Sequence, residues 1–181
     1  MSRHIGYLFI APAFVILFFT SIYPVAFSFY FSFFDWNWGN QENFIGLDNY
    51  LFLLTDPEFW TVIYNTFVFA SVSCFLEVTI GIILAIFVDR IVFCSTVIRT
   101  ILILPLMVSG IIVSMISKIM FNNLFGVIPY GLKQIDIRSS FFGSTEAAMP
   151  TLIGVDVWWQ TSFVFIIILA ALQGIPNDTV E

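Results

Sequence analysis

Long apolar runs dominate the hydrophobic pattern of this chain. They extend roughly from Tyr7 to Phe34, from Phe59 to Val88, from Val97 to Met120, and from Met149 to Leu172. A bilayer core about 30 Å thick is crossed by about 20 mostly apolar helical residues. Because lipid offers the backbone no hydrogen bonds, each run must satisfy its own polar groups as a helix. The pattern therefore predicts an all-α membrane protein with four transmembrane helices.

Composition supports this fold class and narrows the partners. The chain is 60% hydrophobic and 10% charged, whereas soluble domains carry about 25% charged residues. The formal net charge of -6 comes with only six Lys and Arg, and these are too scattered for nucleic-acid binding. Cys74 and Cys94 have neither zinc-site nor redox-pair spacing. The lipid bilayer is thus an expected partner, and nucleic acid is not.

Charges between the runs predict the orientation. The loop from Asp35 to Glu58 holds five acidic residues and no Lys or Arg, whereas Arg3, Arg90 and Arg99 flank the other ends of the first three runs. Cytoplasmic loops are enriched in Lys and Arg. The N-terminus and the turn 89–99 are therefore expected in the cytoplasm, with the acidic loop outside.

The same rule places the loop 121–148 outside and, after four crossings, the C-terminal end near Glu181 in the cytoplasm. Lys118, Lys133 and Arg138 oppose this assignment, and the acidic loop without cations outweighs them. The first run is about twice the 7–15 apolar residues of a signal peptide. It is therefore predicted to stay as an uncleaved helix.

Glu77 stands in the middle of the second run. Ser73, Gly81 and Ala85 recur with it every four residues, so all four share one helix face. Small residues at this spacing let membrane helices approach closely. Glu77 is either a proton or substrate relay or a hydrogen-bonded packing residue. Packing is favoured, because an intramembrane carboxylate with a role usually has a partner and none is evident.

The fourth run carries a second polar group. Asp156 and Gln160 are four residues apart and share a face, with Trp159 beside it. A polar pair next to an aromatic ring suits contact with a polyol, so these three residues are candidates for a substrate path. The alternative is an interfacial helix end in contact with water, where polar and Trp residues are common.

Pro105 interrupts the third run and predicts a bend or gate, because proline removes one backbone hydrogen bond. The chain has no P-loop signature, no H-E-x-x-H and no G-x-S-x-G, which disfavours ATP binding and hydrolytic catalysis. The chain is therefore not expected to be an enzyme or to hold a cofactor. Energy for any transport would come from a partner or an ion gradient.

Short fragments follow one another in a characteristic order. They are Ala11-Pro12 with Tyr23-Pro24, Phe44 to Tyr50 (F-I-G-L-D-N-Y), Asp56 to Trp60 with Tyr64-Asn65-Thr66, Gly81 with Ala85, Arg99-Thr100 with Leu104-Pro105, and Asp156-Val157-Trp158 with Gln173 to Pro176. In this order and spacing the chain resembles the sugar-type permease subunits of binding-protein-dependent type I ABC importers, the group that includes maltose and glycerol-phosphate permeases.

The resemblance covers nearly the whole chain and implies its organisation. Residues 1–58 would form the first transmembrane helix and the acidic outer loop, and 59–181 the N-terminal part of the permease domain with three helices. Glu181 falls where the family's Glu-Ala-Ala segment, which docks on the ATPase, would start. The family has further membrane helices after this point, so the chain is expected to be a truncated product, a fragmentary gene or a partial sequence, inactive by itself.

The resemblance also implies function and partners. The chain would be a permease subunit in the bacterial cytoplasmic membrane, passing a small solute, such as a sugar or sugar derivative, by alternating access. Its partners would be an ATP-binding subunit, a second permease subunit and an extracytoplasmic solute-binding protein. Two alternatives stay open, namely an ion-coupled secondary carrier with Glu77 as its relay and a structural membrane subunit without a pathway.

Overall fold

The computed structural model describes residues 3–36, 43–91, 94–135 and 140–174, which are almost entirely helical. The helices are α1 (Arg3–Leu17), α2 (Tyr23–Phe31), α3 (Asp48–Thr55), α4 (Pro57–Arg90), α5 (Ser95–Ile103), α6 (Gly110–Met120), α7 (Val127–Lys133) and α8 (Thr145–Gln173). A π-helical segment (Phe18–Ile22) joins α1 to α2, and a 3-10 segment (Leu104–Met107) follows α5. The predicted all-helical membrane fold is confirmed.

Contacts divide the chain into two compact units, Met1–Tyr64 and Asn65–Glu181. In the first unit, Phe9–Phe31 is an apolar helix of 23 residues, long enough to cross a membrane. Pro24 has no N–H to continue the α-helical ladder. The turn before it widens, and the N–H of Tyr23 donates to the carbonyl of Phe18. The proline is therefore accommodated by a π-helical turn, and the first span continues through it.

A short hairpin follows the first span. The strands β1 (Phe34–Asp35) and β2 (Asn43–Phe44) pair antiparallel, and they are the only strands in the described part of the chain. Asn49 donates from Nδ2 to the carbonyls of Ser32 at 2.8 Å and of Phe34 at 3.1 Å. The last two residues of the F-I-G-L-D-N-Y fragment thus hold this hairpin, because Tyr50 also bonds the hydroxyl of Ser32 at 2.6 Å.

In the second unit, α4 and α8 pack together and run parallel. An ideal Cβ on Gly81 would meet the Cγ1 of Val164 at 2.7 Å. Earlier on both helices, the carboxyl groups of Glu77 and Asp156 come together. Since earlier residues of α4 meet earlier residues of α8, the two helices point the same way. The chain between them must therefore cross back to the side where α4 begins.

The return crossing is broken rather than straight. The two helical stretches Ser95–Met107 and Gly110–Met120 are bent by 92°. The predicted single helix from Val97 to Met120 is thus corrected, since the chain is extended at Val108 (ψ 130°) and Ser109 (ψ 139°). Among the described residues, three helices are long and apolar enough to cross a membrane, or four if this bent pair is counted as one span.

A small buried core joins α4 to α8. Ala85, Val88 and Phe165 are fully buried, and Leu169 is nearly so. Most other large apolar side chains of the described residues are exposed, as expected for spans whose outer faces meet lipid or other helices. Several candidate site residues therefore lie on the closely packed pair of helices α4 and α8.

Candidate functional site

A large cavity of about 550 Å³ lies between α8 and α6. On α8 it is lined by Pro150, Thr151, Gly154, Val155 and Trp158, and on and after α6 by Val113, Ile116, Ser117, Met120 and Phe121. Its other lining residues are Val108, Ile128 and Phe141. Among the described lining residues, only Ser117 and Thr151 carry side-chain hydroxyls, so the cavity is mostly apolar.

A small cavity of about 300 Å³ lies between α4, α5 and α8. Pro105 and Trp158 line it, together with Thr161 and Ser162. Thr161 is 7% exposed, and its Oγ1 finds no hydrogen-bond partner among the described residues. Trp158 lines both cavities and is therefore the side chain that stands between them.

Trp159 is placed at the break itself. Its indole Nε1 donates to the backbone carbonyl of Val108 at 3.1 Å. An ideal Cβ on Gly110 would lie 2.9 Å from Cη2 of the same ring. The glycine thus leaves room for the indole. Trp159 was nominated for the substrate path, and the structure places it against the bend, beside the residues that line the two cavities.

Asp156, nominated for the same path, meets Glu77 of α4. The carboxyl groups lie within hydrogen-bonding reach, and Asp156 is the charged group that acts on Glu77. Oε1 of Glu77 is buried and accepts no hydrogen bond from the described residues. Sequence reasoning treated Glu77 as a carboxylate without a partner. The pairing escaped it because the two residues lie on different helices.

Gln160 follows Asp156 by one turn of α8 and is half-buried. It lies outside the lining of both cavities. Gly81 and Ala85, nominated for helix packing, are both buried in α4. Pro105 sits in the 3-10 segment, and the chain bends just after it, at Val108 and Ser109.

The structure adds a polar contact that the sequence did not suggest. With its amide oxygen turned toward α5, Gln173 accepts from both terminal nitrogens of Arg99, at 3.1 and 2.9 Å. Nε of Arg99 is buried and has no partner among the described residues. The contact ties the end of α8 to α5. Glu181, nominated for ATPase coupling, lies outside the described residues.

No family model matches the chain, but individual proteins do. It is 33% identical over 176 residues to the probable ABC transporter permease protein y4oQ of Sinorhizobium fredii, covering 96% of this chain and 57% of that protein. It is 34% identical over 175 residues to AmyD of Thermoanaerobacterium thermosulfurigenes, a probable starch degradation products transport permease, covering 97% and 60%. For MalF of Thermococcus litoralis, a trehalose/maltose transport permease, the identity is 31%, covering 98% and 61%.

Solved structures share the fold. The chain matches a bacterial ABC transporter involved in the import of the acidic polysaccharide alginate, with a TM-score of 0.82 and 23% identity. The match covers 97% of this chain and 60% of that one. The chain thus spans about three fifths of the length of the proteins that it matches.

Proposed function

Because this chain belongs to the permease family of sugar ABC importers, we propose that it forms part of a membrane permease that passes a sugar or sugar derivative by alternating access. The homology along nearly the whole chain carries this proposal. The relatives named for starch degradation products and for trehalose and maltose support a saccharide as the solute. Transport rather than catalysis is the activity that this family performs.

The broken third crossing and α8 are the proposed part of the solute path. Irregular backbone within a membrane is tolerated where it is buried in protein or lines a water-filled cavity, and discontinuous helices often build transporter sites. Val108, which lies at the break, is one of the residues that line the large cavity. Asp156, Gln160 and Trp159 remain the proposed polar and aromatic contacts, with Trp158 added because it lines both cavities.

Alternating access needs a rigid part and a part with two arrangements. The parallel α4–α8 pair, closely packed at Gly81 and Ala85, serves as the rigid part. The bend at Val108 and Ser109 serves as the joint. A solute shifts such an equilibrium only through its different affinity for the two arrangements. Energy for the cycle comes from a separate ATP-binding subunit, since this chain has no P-loop signature.

The proposed partners are that ATP-binding subunit, a second permease subunit and an extracytoplasmic solute-binding protein. One solved structure with the same fold is an alginate ABC transporter in complex with its alginate-bound periplasmic protein, which supports the last of these. The segment after α8, including Glu181, is the proposed contact with the ATPase.

The proposed location is the bacterial cytoplasmic membrane, with four crossings and both chain ends in the cytoplasm. The parallel course of α4 and α8 supports this topology, because it requires a crossing between them. Arg90 and Arg99 then lie on the cytoplasmic side, as the positive-inside rule favours.

Uptake in membrane vesicles tests the proposal. The protein that contains this chain is co-expressed with its ATP-binding subunit, second permease and solute-binding protein, and uptake of labelled maltose and maltotriose is measured. We expect uptake that requires ATP and persists with a protonophore. The control is an ATP-binding subunit with a substituted P-loop lysine, which should abolish uptake. Uptake driven by an ion gradient without ATP would instead indicate a secondary carrier. Absence of both uptake and co-purification would indicate a structural subunit.

A further inference from the structure

Two carboxyl groups meet between two membrane-spanning helices. Glu77 projects from α4 and Asp156 from α8, and their side chains are within hydrogen-bonding reach of each other. Both helices are apolar enough to cross a membrane. Gly81 of α4 packs against Val164 of α8, which puts Asp156 level with Ser73, one helical turn before Glu77.

No hydrogen-bond donor serves this pair in the described part of the chain. Oε1 of Glu77 is buried and has no partner. An ionised carboxylate only accepts hydrogen bonds, whereas a protonated carboxyl also donates one. Since the group opposite Glu77 is another carboxyl, a hydrogen bond can form between them only if one carries a proton.

A buried hydroxyl adjoins the pair. Ser73 lies one turn before Glu77 on the face of α4 that packs toward α8, and it is 3% exposed. Its Oγ has no partner in the residues that the structure describes. The position therefore contains more unsatisfied polar groups than helix packing alone explains.

The other charged groups of the neighbouring helices lie away from Glu77 and Asp156. Arg90 ends α4 and Glu146 lies in the first turn of α8. On α5, Arg99 is held by Gln173 at the far end of α8. Lys118 is exposed in the last turn of α6. Asp156 is the charged group that influences Glu77, so within the described residues no cation neutralises the pair.

We propose that Glu77 and Asp156 form a proton-binding site in which one proton is shared between α4 and α8. The protonated carboxyl donates its O–H to the ionised one, so the pair carries a single negative charge. Two like charges at short distance in a low-dielectric site disfavour simultaneous ionisation, and carboxyl pairs that share one proton are known in enzymes. The proton belongs to the pair rather than to either residue. This site goes beyond the proposed transport function.

Infrared spectroscopy of the purified protein in detergent tests the site without any transport. We expect the carbonyl stretch of a protonated carboxyl at neutral pH, shifted in heavy water. Labelling glutamate or aspartate carboxyls isotopically in the parent protein should move this band. Glu77→Gln and Asp156→Asn should each abolish it, because an amide donates to the remaining carboxylate without a titratable proton. Glu146→Gln, at an exposed position, is the matched control and should leave it unchanged.

Several outcomes would overturn the proposal. One is a parent spectrum without a protonated carboxyl at neutral pH. Another is a band that survives both substitutions in folded protein. A carboxylate band that shifts when sodium replaces a bulky organic cation would show a metal cation between two ionised groups. A parent spectrum without the band counts against the proposal even if neither variant folds.

Discussion

The indole N–H of Trp159 donates to the backbone carbonyl of Val108, 51 residues away, over 3.1 Å. Val108 lies at the 92° bend between the two halves of the third crossing, where an extended backbone leaves helix-end carbonyls without intrahelical partners. Trp159 satisfies one of these carbonyls, and Gly110 leaves space for its ring. A residue nominated for the solute path thus stabilises the bend that borders the large cavity.

Replacing Trp159 by Phe should destabilise the protein. The ring remains, but the carbonyl of Val108 loses its donor, which costs about 1–3 kcal/mol when the group is buried. Thermal unfolding of the detergent-solubilised protein measures the loss. Trp158→Phe is the matched control, because Trp158 makes no hydrogen bond within the described residues. Equal stability of the two variants would contradict this role for the indole N–H.

Replacing Gly81 by Ala should force α4 and α8 apart. The new Cβ would lie 2.7 Å from the Cγ1 of Val164, and such overpacking typically costs about 1–3 kcal/mol. Val164→Ala in the same protein should recover part of this loss, giving a coupling in a double-mutant cycle. As control, Gly154→Ala adds a Cβ where nothing lies within 4 Å. An equal effect of both glycine substitutions would argue against the close approach.

Replacing Asn49 by Asp should loosen the hairpin after the first span. The carboxylate has nearly the same shape but cannot donate to the carbonyls of Ser32 and Phe34. Each partly exposed hydrogen bond is worth about 0.5–1.5 kcal/mol. Faster amide exchange or proteolysis near residues 32–35 would report the loss. Asn65→Asp, at a position without such contacts in the structure, should leave the hairpin intact.

Cys94 offers a test of the topology. It is a free, exposed cysteine at the start of α5, and the proposed orientation puts it in the cytoplasm. A membrane-impermeant maleimide should label it in inside-out vesicles and leave it unlabelled in intact cells. Cys94→Ser supplies the background, while Cys74→Ser should keep the labelling because Cys74 lies within α4. Labelling from the outside of intact cells would reverse the orientation.

Replacing Glu77 by Gln tests whether transport is driven by ATP or by an ion gradient. If ATP drives transport, uptake should persist at a rate within about tenfold of the parent protein, a change worth at most about 1.4 kcal/mol. The amide keeps the shape and can still bond Asp156. A complete loss of uptake in folded, correctly assembled protein would favour the ion-coupled carrier.

Much of the fold could be predicted because it depends on local properties. The length of an apolar run decides whether a helix can cross the bilayer. This length can be read directly from consecutive residues, such as those from Phe59 to Val88. The face shared by Ser73, Glu77, Gly81 and Ala85 follows from helical periodicity alone. Both predictions survive in α4, which extends from Pro57 to Arg90 with Ser73, Gly81 and Ala85 buried.

The break in the third crossing was only partly predictable. Pro105 predicted a bend in the third run, but not the 3-10 segment that contains it. The bend itself lies at Val108 and Ser109, because its place depends on where Trp159 and Gly110 meet across α8 and α6.

The sequence by itself determined that the apolar runs form helices long enough to span a membrane and, through the order of its motifs, which family of transporters the chain resembles. Only the tertiary structure decided that Glu77 faces Asp156, that Trp158 stands between two cavities, and that Arg99 bonds Gln173. Hydrophobic length and periodicity act along one helix. The register between two helices is decided by close packing, here of Gly81 against Val164. Such packing depends on residues that are far apart in the sequence, so the pattern along one helix does not reveal it.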